Sequence, residues 1–123
     1  MELSRLTGCV IGCAIEVHRF LGPGLLESAY SQCLAYELTQ AGIVFEREKA
    51  IRVTYKECEI DCGFRSDFFI EDQLMVELKS VDRLLPIHRA PLLTYMKVAG
   101  ARVGLMINFN CRTIKEGLVR IVL

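Results

Sequence analysis

The stretch Arg65-Ser66-Asp67-Phe68-Phe69-Ile70-Glu71-Asp72-Gln73-Leu74-Met75-Val76-Glu77-Leu78-Lys79 decides how the rest of the chain is read. Apolar residues alternate with other types on both sides of Glu71-Asp72-Gln73, the one polar cluster in the segment, and this predicts a β-hairpin turning there. With residue 70 paired to residue 74, antiparallel counting sets Asp67 opposite Glu77. Period-two alternation then puts Lys79 and Arg65 on that same face, while Phe64, Phe68, Leu74, Val76 and Leu78 line the other. Directly opposed residues have Cβ atoms about 5 Å apart, and two carboxylates so close repel unless a cation lies between them. A divalent metal ion would resolve the conflict. Read without a metal, the same face is a solvated surface on which Asp67, Glu77, Arg65 and Lys79 make diagonal ion pairs, each worth well under about 1 kcal/mol.

Outward from the hairpin, both flanks show helical and strand patterns. Leu3, Leu6, Val10, Cys13 and Val17 recur at helical spacing with Glu16, His18 and Arg19 turned away, predicting an amphipathic helix over residues 4–20 that Gly22-Pro23-Gly24 ends. A second helix is predicted over 25–41 from the stripe Leu26, Tyr30, Leu34, Leu38 and Ala41, with Gly42 as its C-terminal cap. Glu27 falls in its first turn, where the helix dipole alone favours a carboxylate. Residues 43–46 and 50–55 are short β-rich runs, and Lys56 to Glu59 is a polar turn before the strand that leads into Asp67. After Lys79 an irregular link over 80–87 precedes a helix over 89–99, in which Pro91 fits only within the first turn. Residues 102–109 form a nearly continuous apolar run, the pattern of a strand buried on both faces, and 118–123 read as a last strand. The order α, α, β, β, β, β, α, β, β describes an α/β protein, a sheet flanked by helices.

Composition narrows the function classes. The 123 residues, 52% hydrophobic, suit one domain with a real core. Fifteen basic and fifteen acidic residues cancel, so no global positive field marks a nucleic-acid binder, although local patches are compatible with one. The apolar runs fall far short of the roughly 20 residues that a membrane span needs, and the first residues lead into no signal-peptide core, so a cytoplasmic protein with no membrane partner is expected. Of the six cysteines, Cys9 and Cys13 lie one helical turn apart, about 5 to 6 Å between Cβ atoms against the roughly 4 Å of a disulfide. Cys58 and Cys62 are about 13 Å apart along an extended strand. A zinc or iron–sulfur site built from these four is a competing reading, and buried reduced thiols are the simpler one. His18 and His88, beside helix ends, are expected to be structural.

Three stretches resemble a known family. Gly24-Leu-Leu-Glu27-Ser-Ala-Tyr30, preceded by Val17-His18-Arg19-Phe20-Leu21-Gly22-Pro23, matches the G-x-x-E-x-x-Y motif of GxxExxY proteins. Asp67 through Glu77-Leu78-Lys79 resembles the D…E-x-K signature of the PD-(D/E)XK nuclease superfamily, to which those proteins are assigned. Val103-Gly-Leu-Met-Ile-Asn108-Phe109 is similar to the family's glycine-led strand ending in Asn-Phe. The chain departs from the pattern at His88-Arg-Ala-Pro91-Leu-Leu-Thr-Tyr95, where a Gln is expected and Pro91 stands. Proline has no side-chain donor, so any assisting role of a Gln is absent there.

The resemblance implies a restriction-endonuclease-like fold with a central mixed, mostly antiparallel sheet, and hydrolysis of phosphodiester bonds of DNA or RNA with Mg2+ or Mn2+. Carboxylate oxygens suit those hard cations. Asp67, Glu77 and the Leu78 carbonyl would hold the ion, Lys79 would orient or activate water, and Glu27 would point into the site as a further catalytic group. Arg65, Tyr30 and Arg89, with Arg19 and Lys97 behind them, stand as substrate contacts. Nucleases this small often act with a partner or as a dimer, so the resemblance extends to a homodimer. A second reading rests on the neutral charge, the absence of Trp and Pro91: a module that keeps the fold and binds nucleic acid or a protein partner without cutting.

Overall fold

Pairing across the Glu71–Gln73 turn sets the middle of the sheet. In the computed structural model, which describes residues 1–123, β2 (Cys58–Ile70) and β3 (Leu74–Lys79) run antiparallel with Ile70 facing Leu74, Phe69 facing Met75 and Phe68 facing Val76. This is the register that the alternation requires. Glu71 and Asp72 both have positive φ, 49° and 55°, and the Gln73 N–H donates to the Ile70 carbonyl at 3.0 Å. Two successive left-handed residues make a tight turn whose twist suits a hairpin.

β1 (Phe45–Tyr55) pairs antiparallel with β2, β4 (Val103–Asn108) runs parallel to β3, and β5 (Leu118–Val122) closes the sheet antiparallel to β4. The strand order β1-β2-β3-β4-β5 makes a mixed, mostly antiparallel sheet. α1 (Leu3–Leu21) and α2 (Glu27–Gln40) cover one face. α3 (Pro86–Ala99), the crossover between the parallel strands, covers the other. Alternation sorts the side chains of β3 between these layers: Leu74, Val76 and Leu78 pack with Leu6, Val10, Leu34 and Phe109 beneath α1 and α2, whereas Met75 joins Phe69, Met106, Leu92 and Met96 beneath α3. All six residues of β4 are buried, which is why its sequence is a run and not an alternation. A side chain at Gly104 would strike the sulfur of Met96, so glycine lets α3 lie close against β4.

Several expectations need correction. Residues 45–46 of the first run and all of 50–55 belong to the single strand β1, which Ile43 and Val44 precede; Glu48, at φ 53°, interrupts its alternation and hid the continuity. A short helix, α4 (Ile114–Gly117), precedes β5. Leu26 lies just before α2 and is 79% exposed, and Ala41 is exposed too, so the buried stripe of that helix is Tyr30, Ser31, Leu34 and Leu38. His18 is buried, with Nε2 2.8 Å from the Cys111 carbonyl, because α4 and its approach cover that side of α1. Phe64 faces α3 and stacks on Tyr95 with centroids 3.8 Å apart. A register shift beside Gly63 (φ 81°) places it there: β2 has three residues between Asp61 and Arg65 where β1 has one between Ala50 and Arg52.

α3 begins at Pro86, three residues before the predicted start, so Pro91 lies in its second turn and not in its first. Pro86 supplies a preset helical φ at the first position, and His88 Nδ1 accepts the Leu85 N–H at 2.9 Å. None of the cysteines belongs to the fully buried core: Cys9, Cys58 and Cys62 are exposed, and Cys13, Cys33 and Cys111 are half-buried. The four-cysteine cluster does not assemble, since no three His, Cys, Asp or Glu side chains converge in a metal-binding group. No helix is long and apolar enough to cross a membrane.

Candidate active site

The ladder between β2 and β3 stops one pair short of Asp67 and Glu77. Asp67 Oδ2 instead accepts the Leu78 N–H at 2.8 Å, so a carboxylate occupies the gap where the two strands part. Glu77 remains beside it on the face that Met75 presents to α3. The residue is 8% exposed, and Oε1 has no hydrogen-bond partner. Burial, then the Asp67 charge, then a hydrogen bond shared with the Asp67 carboxyl push its pKa up to about 9, opposed by the Asp67 backbone N–H and, least, by the Lys79 ammonium. A buried carboxyl next to another carboxylate holds its proton because neither charge is well solvated. The expected pair is therefore real, although Asp67 reaches it by spanning the strand gap and not by ladder pairing.

Around this pair the chain is tied together by hydrogen bonds. The Phe109 N–H donates to the Lys79 carbonyl at 2.9 Å. Asn108, at the end of β4, is bonded in both directions to the segment after Lys79: its Oδ1 accepts the Val81 N–H at 3.1 Å and its Nδ2 donates to the Val81 carbonyl at 2.9 Å. Phe109 stacks on Tyr30, centroids 4.4 Å apart. The Tyr30 hydroxyl donates to the Gly22 carbonyl at 2.6 Å and accepts the Leu25 N–H at 3.1 Å, and the Ser80 hydroxyl donates to the Leu25 carbonyl at 2.6 Å. These contacts fix the approach to α2 against the end of β3. Glu27, the first residue of α2, then faces Asp67 and Leu78 across a cleft of about 240 Å3, which Ser31 and Arg47 also line, with Ser28, Gln32 and Glu48 around them.

The predicted residues thus fall into groups. Asp67 and Glu77 come together, with Lys79 close enough to Glu77 for its charge to be felt, and Glu27 joins Asp67 and Leu78 in the cleft, which Glu77 and Lys79 do not line. Tyr30 is fully buried and serves the loop before α2; it presents no surface to a substrate. Arg65 is exposed and ion-paired with Asp61 at 3.4 Å. Arg89 lies near Ile121 of β5, two strands from β3, and is not part of this cleft. Sequence reasoning passed over Ser31 and Arg47. The signal for Arg47 was the pairing that sets it opposite Phe68 on β2, and this became visible only once β1 was a single strand.

The sequence profile of the PD-(D/E)XK nuclease superfamily matches residues 4–121, nearly the whole chain. The chain belongs to that superfamily. No curated protein and no solved structure shows significant similarity to it. The three sequence blocks that resembled the superfamily's GxxExxY members have a structural meaning here: Tyr30 of the first stacks on Phe109 of the third, and Phe109 is bonded to Lys79 of the second.

Divalent cations are the usual cofactors of PD-(D/E)XK nucleases, and the residues present fit one. Glu77 offers a buried oxygen with no partner, and burial, reinforced by the Asp67 charge beside it, keeps the carboxyl protonated. A cation would remove that conflict, with the proton leaving as it binds. The set is open, two carboxylates and no third side-chain ligand gathered with them. An open oxygen set leaves positions for water, as Mg2+ prefers.

Proposed function

We propose that this chain is a metal-dependent nuclease that hydrolyses phosphodiester bonds of DNA, with RNA as the alternative substrate, using Mg2+ or Mn2+. The observation that carries the reading is the buried, unpartnered Oε1 of Glu77 beside Asp67. Asp67, Glu77 and the Leu78 carbonyl hold the ion, and Asp67 is oriented for this by the Leu78 N–H. A divalent ion there supplies Lewis-acid charge and a water of lowered pKa. Lys79, half-buried and close enough to Glu77 for its charge to be felt, orients the attacking water and offsets charge developing on the phosphoryl group. Glu27, across the cleft, orients water or contacts the ion.

Titration with Mn2+ and cleavage assays on single- and double-stranded DNA and RNA test this. Wild type should bind Mn2+ and cut, and Glu77→Ala should lose both. Identical behaviour of the two proteins, including no cleavage by either, would sink the enzymatic reading. Pro91, at the position where the family pattern has Gln, favours a second reading, a nuclease fold that binds nucleic acid or a protein partner without cutting. Nucleic-acid binding with no Mn2+ uptake at the carboxylates would be its signature.

A further inference from the structure

We propose that Arg47, braced by Ser31, grips a phosphate of the nucleic-acid strand entering the cleft; this rests on the nuclease reading and names the contact that seats its substrate. The cleft is rich in acid, with Glu27, Glu48 and Asp67 on its walls, and Arg47 is the one cationic side chain lining it. An anionic strand reaching Asp67 has to be compensated from that wall.

Arg47 is exposed and forms no ion pair with any carboxylate, although three acids share its cleft. Its single hydrogen bond runs from Nη2 to the Ser31 hydroxyl at 2.8 Å, and its guanidinium carbon lies 5.6 Å from the centroid of the Phe68 ring. A guanidinium has five N–H donors in a rigid fork, so this brace leaves most of them free. The arrangement is a planar, oriented cation with unspent donors, the geometry that binds a phosphate through two parallel hydrogen bonds. Ser31 is itself buried on α2, one turn beyond Glu27, so the position of the fork is coupled to the helix that carries that carboxylate. Arg65, by contrast, spends its charge on Asp61.

Fluorescence anisotropy of a labelled DNA oligonucleotide in EDTA, which blocks cutting, tests the assignment across a range of salt. Arg47→Ala should weaken binding about tenfold and make the plot of log affinity against log salt shallower by about one, the loss of one phosphate contact. Arg120→Ala, which removes an equal charge from β5, should change neither. Ser31→Ala keeps the charge and loosens the fork, so it should weaken binding by less and leave the slope unchanged. Arg47→Lys should keep the slope and recover part of the affinity, and it answers the question if Arg47→Ala fails to fold. Binding that is indifferent to Arg47→Ala, or to Arg47→Lys if the alanine protein does not fold, overturns the proposal. Mn2+ titration of the same proteins separates the two claims. Mn2+ uptake with Arg47-indifferent binding defeats this inference alone, whereas no uptake defeats the nuclease reading and leaves Arg47 to be judged on the binding data.

Discussion

Glu77 carries a stability cost that should be measurable without any substrate. Its folded pKa of about 9 lies above the unfolded value of 4.5, so the folded state binds the proton more tightly. Below pH 4.5 the group is protonated in both states and costs nothing; as pH rises towards 9 the unfolded chain ionises first and folding weakens. At 1.36 kcal/mol per pH unit, the loss by pH 7 is on the order of 3 kcal/mol. Thermal unfolding in chelator should therefore show a midpoint that falls between pH 5 and pH 8, and Glu77→Gln should flatten that fall and be the more stable protein at pH 8. Equal pH profiles for the two would mean that Glu77 does not hold its proton. The same proton competes with a metal ion, so Mn2+ affinity should climb up to tenfold per pH unit below pH 9, with about one proton released per ion in calorimetry performed in buffers of different ionisation enthalpy.

Two elements position this residue-scale chemistry. The turn from α1 into α2 is held by the Tyr30 hydroxyl, which satisfies both the Gly22 carbonyl and the Leu25 N–H. Tyr30→Phe should keep the stack on Phe109 but leave those groups without that partner, lowering stability in chemical denaturation by about 1 to 3 kcal/mol. In α3, Pro91 lies in the second turn, where its missing N–H leaves the Ile87 carbonyl without its helical donor. Pro91→Ala should raise unfolding stability, by up to about 3 kcal/mol; no gain would mean that the ring is fully accommodated. These elements also show what the sequence made legible. Helical and period-two patterns were enough for α1 and the β2–β3 register, where one local face is buried, and an unbroken apolar run was enough for β4, which is buried on both. They missed the start of α3 by three residues, since the cue was Pro86 and not an apolar stripe, and they misplaced Phe64, since a bulge overrides counting. Asp67 and Glu77 were legible as neighbours, but the Asp67 bond to Leu78 was not, because it forms where the ladder fails. Tyr30 matched a motif yet serves packing, and Arg47, outside every motif, needed the tertiary pairing of β1.

At the scale of the whole molecule, charge limits how a nucleic acid can be held. Fifteen cationic and fifteen anionic residues leave no net field to draw a polyanion from a distance. Three of the outlying arginines are engaged locally: Arg19 with Glu16, Arg65 with Asp61 and Arg112 with Glu116. Near the carboxylates, Arg47 and Lys79 are the cations left to meet phosphate. Each neutralised phosphate contributes slightly less than one to the slope of log affinity against log salt. The wild-type slope should therefore be no steeper than about −2, and raising salt from about 50 to about 200 mM should weaken binding by roughly tenfold, not by the thousandfold or more expected of six or more phosphate contacts. Anisotropy titrations in EDTA give this slope directly. A value near −5 would mean that a surface well beyond the cleft takes part, and a slope that steep, appearing only at protein concentrations where the chain self-associates, would assign the added contacts to a second copy.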